Sequence, residues 1–369
     1  MSKDGNQIAL VLQGGGALGA YQAGAYQALD EAGYRPDWIA AVSIGAINGA
    51  LIAGNPPGRQ VAALRAFWER VTAPTAFVPD IPNPAWQYLL RKSSAAAALV
   101  FGQPGFFRPR LPVEILLSGK PPISFYDTGG LLDTLRELID FDVIGRGGPR
   151  LSVGAVNVKT GELHYFDSKV ERRFLPEMVA ASGALPPGLA AIEVAGETYW
   201  DGGLVSNTPL LYVLDNMADT DMLAFQVDLF DARGRLPENL DEVVEREKDI
   251  RFSSRSRTSL RIATRMHGLR RRMRDTLNAL PEEQRNRSEI AVLAPEARSS
   301  SLDILHVIYE PLVPQGGTKD FQFGRAVVME RWEKGLADMR AALAGTDWSR
   351  VRADATGTKV VEYPPPPLG

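Results

Sequence analysis

The sequence predicts an α/β fold with a central, mostly parallel sheet and helices on both faces. From about residue 7 to 230, short apolar runs alternate with longer stretches of helical spacing, which is typical of α/β domains. The first run, Ile8–Leu12, leads into glycines and then a helical stretch, and the second, Trp38–Val42, leads into a helix of small residues. With 369 residues and 45% hydrophobic content, the chain can bury a large core.

The remaining elements follow from the same patterns. A helix is predicted over Tyr21–Ala32, where Gly33 ends it, and another over Ile44–Ala53, where Gly54 suits a left-handed C-cap. Later elements are predicted as a helix at Leu131–Ile139 and strands at Leu151–Val158 and Leu223–Leu229.

Four regions divide the chain. Residues 7–230 form the predicted α/β domain, and within them 73–125 are rich in proline and aromatic residues. Such a stretch is either an insertion over a site, as a lid or pocket wall, or ordinary surface packing. Residues 231–345 are predicted as a mostly helical extension with a returning strand at 304–309, and 346–369 as a tail that ends in four prolines.

Composition excludes several classes of function. The net charge of −3 gives no overall attraction to nucleic acid or to anionic membranes. The absence of cysteine excludes disulfides, thiol catalysis and cysteine metal sites. The polar segment Met1–Gln7 is unlike a signal peptide, and no apolar run reaches the roughly 18 residues of a membrane span. We expect a cytoplasmic protein, with peripheral membrane contact as an open option.

A glycine loop follows the first strand. Gly14, Gly16 and Gly19 match the pattern G-x-G-x-x-G, and backbone N–H groups of such a loop can bind an anion. A dinucleotide fold would need an acid near the end of the second strand. Here that strand ends at Ser43, and Asp37 lies at its start. A tight strand–helix turn is the simpler alternative.

Ser43 stands on a predicted sharp turn between strand and helix. A serine hydroxyl needs a base to become a nucleophile and must project into its site. Residues two before and two after such a serine must be small, and Ala41 and Gly45 satisfy this in an A-x-S-x-G pattern. The alternative is that Ser43 only caps the following helix.

The base for Ser43 is predicted to be a carboxylate. A Ser-His-Asp triad would need histidine, but His164, His267 and His306 lie in probable strand or helix contexts. Asp201 follows an apolar stretch and precedes Gly202-Gly203, a strand end of the kind that holds functional groups. Burial could raise its proton affinity enough for base catalysis, although Asp-Gly-Gly alone is often just a turn.

Taken together, these motifs resemble the patatin-like phospholipase family. The glycine loop matches Gly14–Gly19, the nucleophile turn matches Ala41–Gly45, and the aspartate motif matches Asp201–Gly203. The segment Ala181–Pro187 also resembles the one that precedes the aspartate in that family. The resemblance covers about residues 7 to 215, and the region beyond 230 is similar to an extension in some bacterial members.

The resemblance implies a patatin-like three-layer sandwich and a Ser–Asp dyad without metal or cofactor. Ser43 would be the nucleophile and Asp201 the base. The implied oxyanion loop comprises Gly14, Gly15, Gly16, Ala17, Leu18 and Gly19. The implied turn and aspartate motif comprise Ala41, Val42, Ile44 and Gly45, then Gly202 and Gly203.

The implied substrate is a carboxylic ester of a lipid, such as a phospholipid or lysophospholipid. Leu18 stands where many members have Arg or Lys, so neutral or hydroxyacyl polyesters are an alternative. Two other classes of function are an NAD-dependent oxidoreductase, which cofactor titration would detect, and a non-catalytic lipid-binding module, which intact Ser43 and Asp201 disfavour. The sequence leaves the oligomeric state unknown.

A basic amphipathic helix is predicted over Arg251–Arg274. It has nine arginines and no acid, and Ile262, Met266, Leu269 and Met273 recur at helical spacing. One interpretation is a helix packed by that apolar stripe, with arginines solvated or paired to the acidic run Asp241–Asp249. The other is a surface that attracts anionic lipid.

Overall fold

The computed structural model describes residues 6–72, 84–111, 121–311, 314–345, 348 and 357–365, without the side chains of 84–87, 89–90 and 254–256. The parts of the 73–125 insertion at 73–83 and 112–120 therefore lie outside the described residues, as do 366–369. The structure has α/β architecture, as the sequence predicts.

The strands of the main sheet are β1 (Gln7–Leu12), β2 (Trp38–Val42), β5 (Arg150–Asn157), β6 (Leu163–Asp167), β7 (Ile192–Val194), β8 (Glu197–Asp201), β9 (Met222–Asp228), β10 (Leu302–Ile308) and β11 (Thr358–Tyr363). A separate two-stranded ribbon joins β3 (Arg108–Pro109) and β4 (Tyr126–Asp127). The helices are α1 (Gly19–Glu31), α2 (Ile44–Ala53), α3 (Gln60–Val71), α4 (Pro84–Phe101), α5 (Gly129–Leu138), α6 (Pro176–Ser182), α7 (Leu210–Asn216), α8 (Leu240–Ala279), α9 (Glu282–Arg285), α10 (Ser288–Ala291) and α11 (Arg325–Ala344).

The main sheet is mixed, with a parallel centre. Its strand order is β11-β10-β9-β1-β2-β5-β8-β7, and β6 pairs with β5. The neighbours from β11 to β5 are parallel, whereas β6, β8 and β7 join in antiparallel pairs. The predicted fold class is confirmed.

Helices cover both faces of this sheet. Along β1 the side chains alternate, so that Ile8, Leu10 and Leu12 enter one core while Ala9 and Val11 enter a second, smaller core. This alternation is the two-residue period of a strand. The larger core is built with residues of α1, α2, α3 and α11, and the smaller with residues of α7 and α8. The result is the predicted three-layer arrangement.

The C-terminal region continues the same sheet. The predicted strand at 304–309 corresponds to β10, which pairs with β9. The sequence analysis treats 346–369 as a tail, but residues 358–363 form β11 beside β10. The tail prediction is therefore incomplete. The strand is short and lies at the sheet edge, and on one of its faces Val360 is followed by the charged Glu362. The sequence pattern is therefore too weak to indicate a strand.

The predicted basic helix is part of the 40-residue helix α8. Its buried face holds Leu260, Ala263 and His267, not the stripe on which packing was expected. Ile262, Met266 and Leu269 are 42 to 47% exposed. The apolar stripe is therefore largely on the surface, and α8 packs on the domain through a different set of residues that includes His267.

Several arginines of α8 have acidic partners, mostly outside the run Asp241–Asp249. Arg251 pairs with Glu247 within that run. The other ion pairs are Arg257 with Asp231 and Glu362, Arg270 with Asp215 and Glu296, and Arg274 with Asp219.

Candidate active site

Two strands meet end to end along β5 and bring the predicted nucleophile and base together. β2 runs parallel to β5 and its last residue, Val42, lies opposite Gly154. β8 runs antiparallel to β5, and its last residue, Asp201, lies opposite Ala155. Since β6 occupies the other edge of β5, β2 and β8 share one edge and end against each other. The residue after β2, Ser43, therefore faces the last residue of β8.

The two side chains form a hydrogen bond. Ser43 Oγ donates to Asp201 Oδ2 over 2.7 Å. Ser43 has φ 57° and ψ −126°, a conformation that is strained for a residue with a side chain. That strained turn aims the hydroxyl away from the strand, as a nucleophile requires.

Small residues make this turn possible, as predicted. A Cβ at Gly45 would lie 2.6 Å from the Leu12 carbonyl oxygen, so the first turn of α2 touches the end of β1. A Cβ at Gly202 would lie 2.4 Å from the Gly154 carbonyl oxygen. The glycines after Ser43 and Asp201 thus let both turns pack against neighbouring backbone.

Asp201 is held in a state suited to accept a proton. Asp201 is only 3% exposed. Burial raises the pKa of its carboxyl group to about 6, although the hydrogen bonds from Ser43 and from the Gly203 N–H lower it. Asp201 Oδ1 accepts the Gly203 N–H over 2.7 Å. This bond fixes the carboxylate while Oδ2 points at Ser43.

Ser182 holds the serine turn in place. The Ser43 N–H donates to Ser182 Oγ over 2.8 Å, and Ser182 Oγ donates to the Gly154 carbonyl over 2.6 Å. Ser182 thereby ties the turn to β5. The sequence analysis quoted this serine within Ala181–Pro187 but gave it no role, because its partners are distant in sequence.

The glycine loop leaves three N–H groups available. The N–H groups of Gly14, Leu18 and Gly19 donate to carbonyls of Asn207, Gly15 and Gly16, respectively. Within the described part of the chain, no acceptor is seen for the N–H groups of Gly15, Gly16 and Ala17. Of the six loop residues predicted for an oxyanion hole, these three offer free donors. The Leu18 side chain is fully buried in the core.

Two side chains that sequence reasoning missed anchor this loop. Asn207 Nδ2 donates to the Gly14 carbonyl over 3.1 Å. A Cβ at Gly14 would lie 2.5 Å from Asn207 Oδ1 and 2.8 Å from Ser43 Cβ, so only glycine fits there. Gln13 Oε1 accepts the Leu229 N–H over 2.6 Å, which ties the loop to the end of β9. Asn207 lies six residues after Asp201, and no local pattern marks it.

An apolar cavity of about 270 Å³ opens over the dyad. Its polar lining includes Ser43, Asp201 and Asn207. The apolar side chains that line it are Ile44, Ile47, Phe106, Phe107, Tyr126, Leu185, Pro186, Pro187, Leu189, Phe230, Phe252, Phe321 and Phe323. Phe106 and Phe107 come from the 73–125 insertion and Tyr126 directly follows it, which favours the pocket-wall interpretation of the insertion over simple surface packing.

The C-terminal region contributes to the same cavity. Phe252 comes from α8, and Asp320, Phe321 and Phe323 come from the segment before α11. A Cβ at Gly16 would lie 2.4 Å from the Asp320 carbonyl oxygen, so this segment packs directly on the glycine loop. The Asp320 carboxylate pairs with Lys248 over 2.6 Å.

The histidines lie elsewhere. His267 bonds to the Ser300 carbonyl and His306 to Asp228 Oδ2, each over 2.9 Å. His164 is exposed on β6 beside Phe166 and Tyr199. Among the described residues, none of the three lines the cavity. In that same part of the chain, no group of three or more acidic or histidine side chains could hold a metal ion, and no helix is long and apolar enough to cross a membrane.

The family follows from a direct match. A family model described as patatin-like phospholipase matches residues 10–214, which is more than half of the chain. The chain belongs to the patatin-like phospholipase family. A second model, described as patatin phospholipase, matches residues 250–355. The resemblance stated from the three motifs is confirmed.

Named relatives match over short stretches of this chain. The chain is 42% identical over 81 residues to patatin-like phospholipase domain-containing protein 7 of Rattus norvegicus, covering 22% of this chain and 6% of that protein. It is 55% identical over 49 residues to lysophospholipase nte1 of Aspergillus terreus, covering 13% and 3%. The chain thus spans a small part of these relatives.

Two solved structures are similar across most of this chain. VipD from Legionella pneumophila is 15% identical, with a TM-score of 0.38, over 92% of this chain and 67% of that one. Human GIVD cytosolic phospholipase A2 is 12% identical, with a TM-score of 0.35, over 93% and 60%.

Proposed function

We propose that this patatin-like protein is a serine acyl hydrolase that cleaves carboxylic esters of lipids through a Ser43–Asp201 dyad. The observation that supports it most is the 2.7 Å hydrogen bond from Ser43 Oγ to Asp201 Oδ2 at the base of an apolar cavity. A lipid acyl chain matches this lining, because burial of apolar surface favours binding.

In the first half-reaction, Asp201 Oδ2 takes the proton of Ser43 Oγ as that oxygen attacks the ester carbonyl carbon. A buried carboxylate with a pKa of about 6 is ionised at neutral pH and is still a stronger base than an exposed one. Collapse of the tetrahedral intermediate breaks the carbonyl carbon–alkoxy oxygen bond. The alcohol leaves with the proton from Asp201, and the acyl group stays on Ser43.

The negative oxygen of the intermediate would be held by the N–H groups of Gly15, Gly16 and Ala17. These donors are free of carbonyl partners in the described structure and belong to the loop beside Ser43. Loss of one oxyanion donor typically lowers the rate by about 100- to 1000-fold. Backbone donors cannot be removed by side-chain substitution, but Gly14→Ala should displace the loop because Asn207 and Ser43 occupy the space.

In the second half-reaction, water replaces the alcohol. Asp201 takes a proton from the water as its oxygen attacks the acyl carbon, and the Ser43 Oγ–carbon bond breaks. The proton returns to Ser43, and a fatty acid is released. The chemistry uses only side chains and backbone of this chain.

The cavity bears on the substrate class. Its lining contains no Lys or Arg among the described residues, and the Asp320 carboxylate of the lining is paired with Lys248, so the lining offers no side-chain cation to a phosphate. A phospholipid would therefore have to keep its headgroup outside the cavity. Neutral glycerides and hydroxyacyl polyesters are the alternative that this lining favours, and they use the same dyad.

Hydrolysis of a panel of esters tests the proposal. Phospholipids, lysophospholipids, neutral glycerides and short-chain esters are offered to the parent protein, with Ser43→Ala as the blank. Single substitutions of His164, His267 and His306 serve as controls, and chelator is added in a separate series. Fatty-acid release that depends on Ser43 supports the proposal, whereas a folded histidine variant without activity would point to a triad instead.

We also propose that α8 attracts the protein to anionic lipid from the cytoplasmic side of a membrane. Its exposed face presents Arg261, Arg265 and Arg272 beside Ile262 and Met266. Cations that flank exposed apolar side chains on a helix are typical of interfacial binding. This attraction is electrostatic and long-ranged, so it should weaken with salt.

A further inference from the structure

Asn207 has a polar atom that its role as an anchor of the glycine loop does not use. The residue is 4% exposed and lines the cavity. Its Nδ2 donates to the Gly14 carbonyl over 3.1 Å, and its backbone carbonyl accepts the Gly14 N–H over 3.2 Å. These bonds fix the orientation of the side-chain amide. Among the residues that the structure describes, no donor reaches Asn207 Oδ1, and an acceptor left unpaired in a buried residue calls for an explanation.

This amide oxygen lies beside both members of the dyad. A Cβ at Gly14 would lie 2.5 Å from Asn207 Oδ1 and 2.8 Å from Ser43 Cβ. A Cβ at Gly203 would lie 2.9 Å from the same oxygen and 3.0 Å from Asp201 Oδ1. Each of these two points touches Asn207 and one member of the dyad. The oxygen is therefore close enough for one small molecule to contact it and the dyad together.

Formation of the acyl-enzyme changes what the dyad offers to such a molecule. Before the reaction, Asp201 Oδ2 accepts the Ser43 hydroxyl, and Oδ1 accepts the Gly203 N–H. An acylated Ser43 Oγ carries no proton, so Asp201 Oδ2 becomes available to water. One O–H group of that water can donate to Oδ2. The other O–H group also needs an acceptor, because a hydrogen-bonding group left unpaired in an apolar cavity costs free energy.

The cavity lining offers few side-chain acceptors for this second O–H group. Within the described lining, the side chains with a carboxylate or an amide are those of Asp201, Asn207 and Asp320. Asp320 already pairs with Lys248 over 2.6 Å, and it packs on Gly16, where the oxyanion donors lie. Asn207 Oδ1 is therefore the side-chain acceptor that remains beside the dyad.

We propose that Asn207 is a catalytic residue of the second half-reaction, in which its Oδ1 accepts a hydrogen bond from the attacking water. This inference rests on the proposed function, because it requires an acyl group on Ser43. The water donates one O–H to Asp201 Oδ2 and the other to Asn207 Oδ1, which leaves a lone pair of its oxygen for the acyl carbon.

The protons and bonds of this step balance. Asp201 takes the first proton as the bond between the water oxygen and the acyl carbon forms. It returns that proton to Ser43 Oγ as the bond between Oγ and the acyl carbon breaks. The second proton stays on the former water oxygen and leaves with the fatty acid.

This role affects the two half-reactions differently. An oxyanion forms in both of them, so an anchor of the glycine loop influences acylation and deacylation alike. The water takes part only in deacylation. Loss of the water acceptor should therefore slow deacylation more than acylation, whereas loss of an anchor alone should slow both by the same factor.

Stopped-flow hydrolysis of p-nitrophenyl butyrate in solution tests the proposal. Asn207→Leu keeps a side chain of similar size, and Asn207→Ala is a second variant, so either one that folds decides the result. Gln13→Leu is the matched control, because it removes another buried amide that anchors the same region through the Leu229 and Phe230 N–H groups but does not line the described cavity. Thermal unfolding verifies each fold.

The burst of p-nitrophenol gives the rate of acylation, and the steady state gives the rate of deacylation. Acid quenching and intact mass give the fraction of Ser43 that carries a butyryl group. For the Asn207 variants we expect deacylation to slow by about tenfold more than acylation, as for loss of one hydrogen bond. The acyl-enzyme should then accumulate, and KM should fall together with kcat.

The control should slow both half-reactions equally, with no more acyl-enzyme than the parent has. Equal slowing of both half-reactions in a folded Asn207 variant, or the same accumulation of acyl-enzyme in Gln13→Leu, would overturn the proposal.

The same assay distinguishes this inference from the proposed function through Ser43→Ala. Hydrolysis that requires Ser43, with both half-reactions slowed equally in the Asn207 variants, would refute the role of Asn207 and keep the dyad. Hydrolysis that persists in Ser43→Ala, or a parent that releases no p-nitrophenol, would refute the dyad and this role of Asn207 with it.

Discussion

At Ser43 the backbone adopts a conformation that costs energy, and three contacts explain why it persists. The turn is held by Ser182, by the close approach of Gly45 to Leu12, and by the bond to Asp201. Strain of this kind costs on the order of 1–3 kcal/mol and survives only where surroundings fix it. Burial of the Asp201 carboxylate also lowers the stability of the folded protein. Such a loss is consistent with a group that is retained for chemistry.

Ester hydrolysis should depend on pH through Asp201. The carboxylate must be ionised to accept the serine proton, and burial raises its pKa to about 6. We expect kcat/KM to fall as pH drops below about 6 and to level off above it. Asp201→Asn should remove nearly all turnover, by about 1000-fold, because an amide cannot take the proton. Activity within tenfold of the parent would exclude Asp201 as the base.

The stability of the fold should also depend on pH through Asp201. It should fall as pH rises, whereas the rate of hydrolysis should increase. The pKa of Asp201 is 3.8 without perturbation and about 6 in the folded protein. Between these values the folded state binds the proton more tightly, so stability falls as pH rises towards 6. Asp201→Asn removes this cost. We expect its free energy of unfolding to exceed that of the parent at pH 8 by on the order of 3 kcal/mol.

Asp219 provides the matched control for that measurement. Although burial alone would raise its pKa, hydrogen bonds from Ser300 and Ser299 lower it to about 2. Asp219→Asn should therefore destabilise the protein at neutral pH, and its effect should shrink as pH falls towards 2. Urea unfolding across pH 2 to 8 measures both variants. An Asp201→Asn difference that does not shrink towards pH 4 would contradict the burial argument.

At the scale of elements, two helices distant in sequence touch through their backbones. A Cβ at Gly24 of α1 would lie 1.9 Å from the Trp332 carbonyl oxygen, and one at Gly335 of α11 would lie 2.0 Å from the Tyr21 carbonyl oxygen. α1 follows the glycine loop, and α11 follows the segment with Asp320 and Phe321. This contact thus joins two sides of the cavity.

Substitution at this contact should be costly. Gly335→Ala would force α1 and α11 apart, and overpacking of this kind costs about 1–3 kcal/mol or more. We expect a lower urea midpoint with an unchanged m value. Glu333→Ala, on the exposed face of α11, is the control and should have a small effect. A stable Gly335→Ala protein would mean that the helices are not packed as closely as described.

Sequence patterns predicted local elements better than contacts between them. Ile8–Leu12, Trp38–Val42 and the Ser43 turn were predicted within a residue, because apolar runs, glycines and small flanking residues are local signals. The pairing of Ser43 with Asp201 was predicted from the strand end before Gly202-Gly203 and from the family resemblance. Physically it requires β8 to run antiparallel at the end of β2, which no local pattern specifies.

The residues that the sequence did not reveal act through long-range contacts. Ser182, Asn207 and Gln13 bond to groups that lie between 28 and 216 residues away. The apolar stripe of α8 was predicted correctly as a pattern, but its orientation was not. Whether a stripe is buried depends on which neighbours reach it, and here Leu260 and Ala263 face the domain instead.

At the scale of the molecule, α8 should determine attraction to anionic membranes. Arg261→Gln, Arg265→Gln and Arg272→Gln together should weaken binding to anionic vesicles at low salt by on the order of 100-fold, at about 1 kcal/mol for each arginine. The same change of net charge at Arg146, Arg172 and Arg285, which are also exposed, is the control.

A salt series tests whether this attraction is electrostatic. The effect of the three α8 substitutions should vanish at high salt, since a Debye length of about 3 Å at 1 M screens exposed charges. Equal binding of the parent to anionic and neutral vesicles would leave the arginines of α8 with a structural role only.

The C-terminal region belongs to the same folded unit as the dyad. β10 and β11 extend the main sheet, α11 packs on α1, and Phe252, Phe321 and Phe323 line the cavity. The active centre therefore depends on sequence from both ends of the chain. For this reason, the proposed dyad is best tested in the whole 369-residue chain.

Labelling with an organophosphorus probe tests the dyad most directly. A fluorophosphonate reacts with an activated serine and leaves one stable adduct, which intact mass and peptide mapping locate. We expect one adduct per chain, on Ser43, with none in Ser43→Ala and a much slower reaction in Asp201→Asn. An adduct on another residue, or none in protein that hydrolyses esters, would contradict the assignment of Ser43 and Asp201.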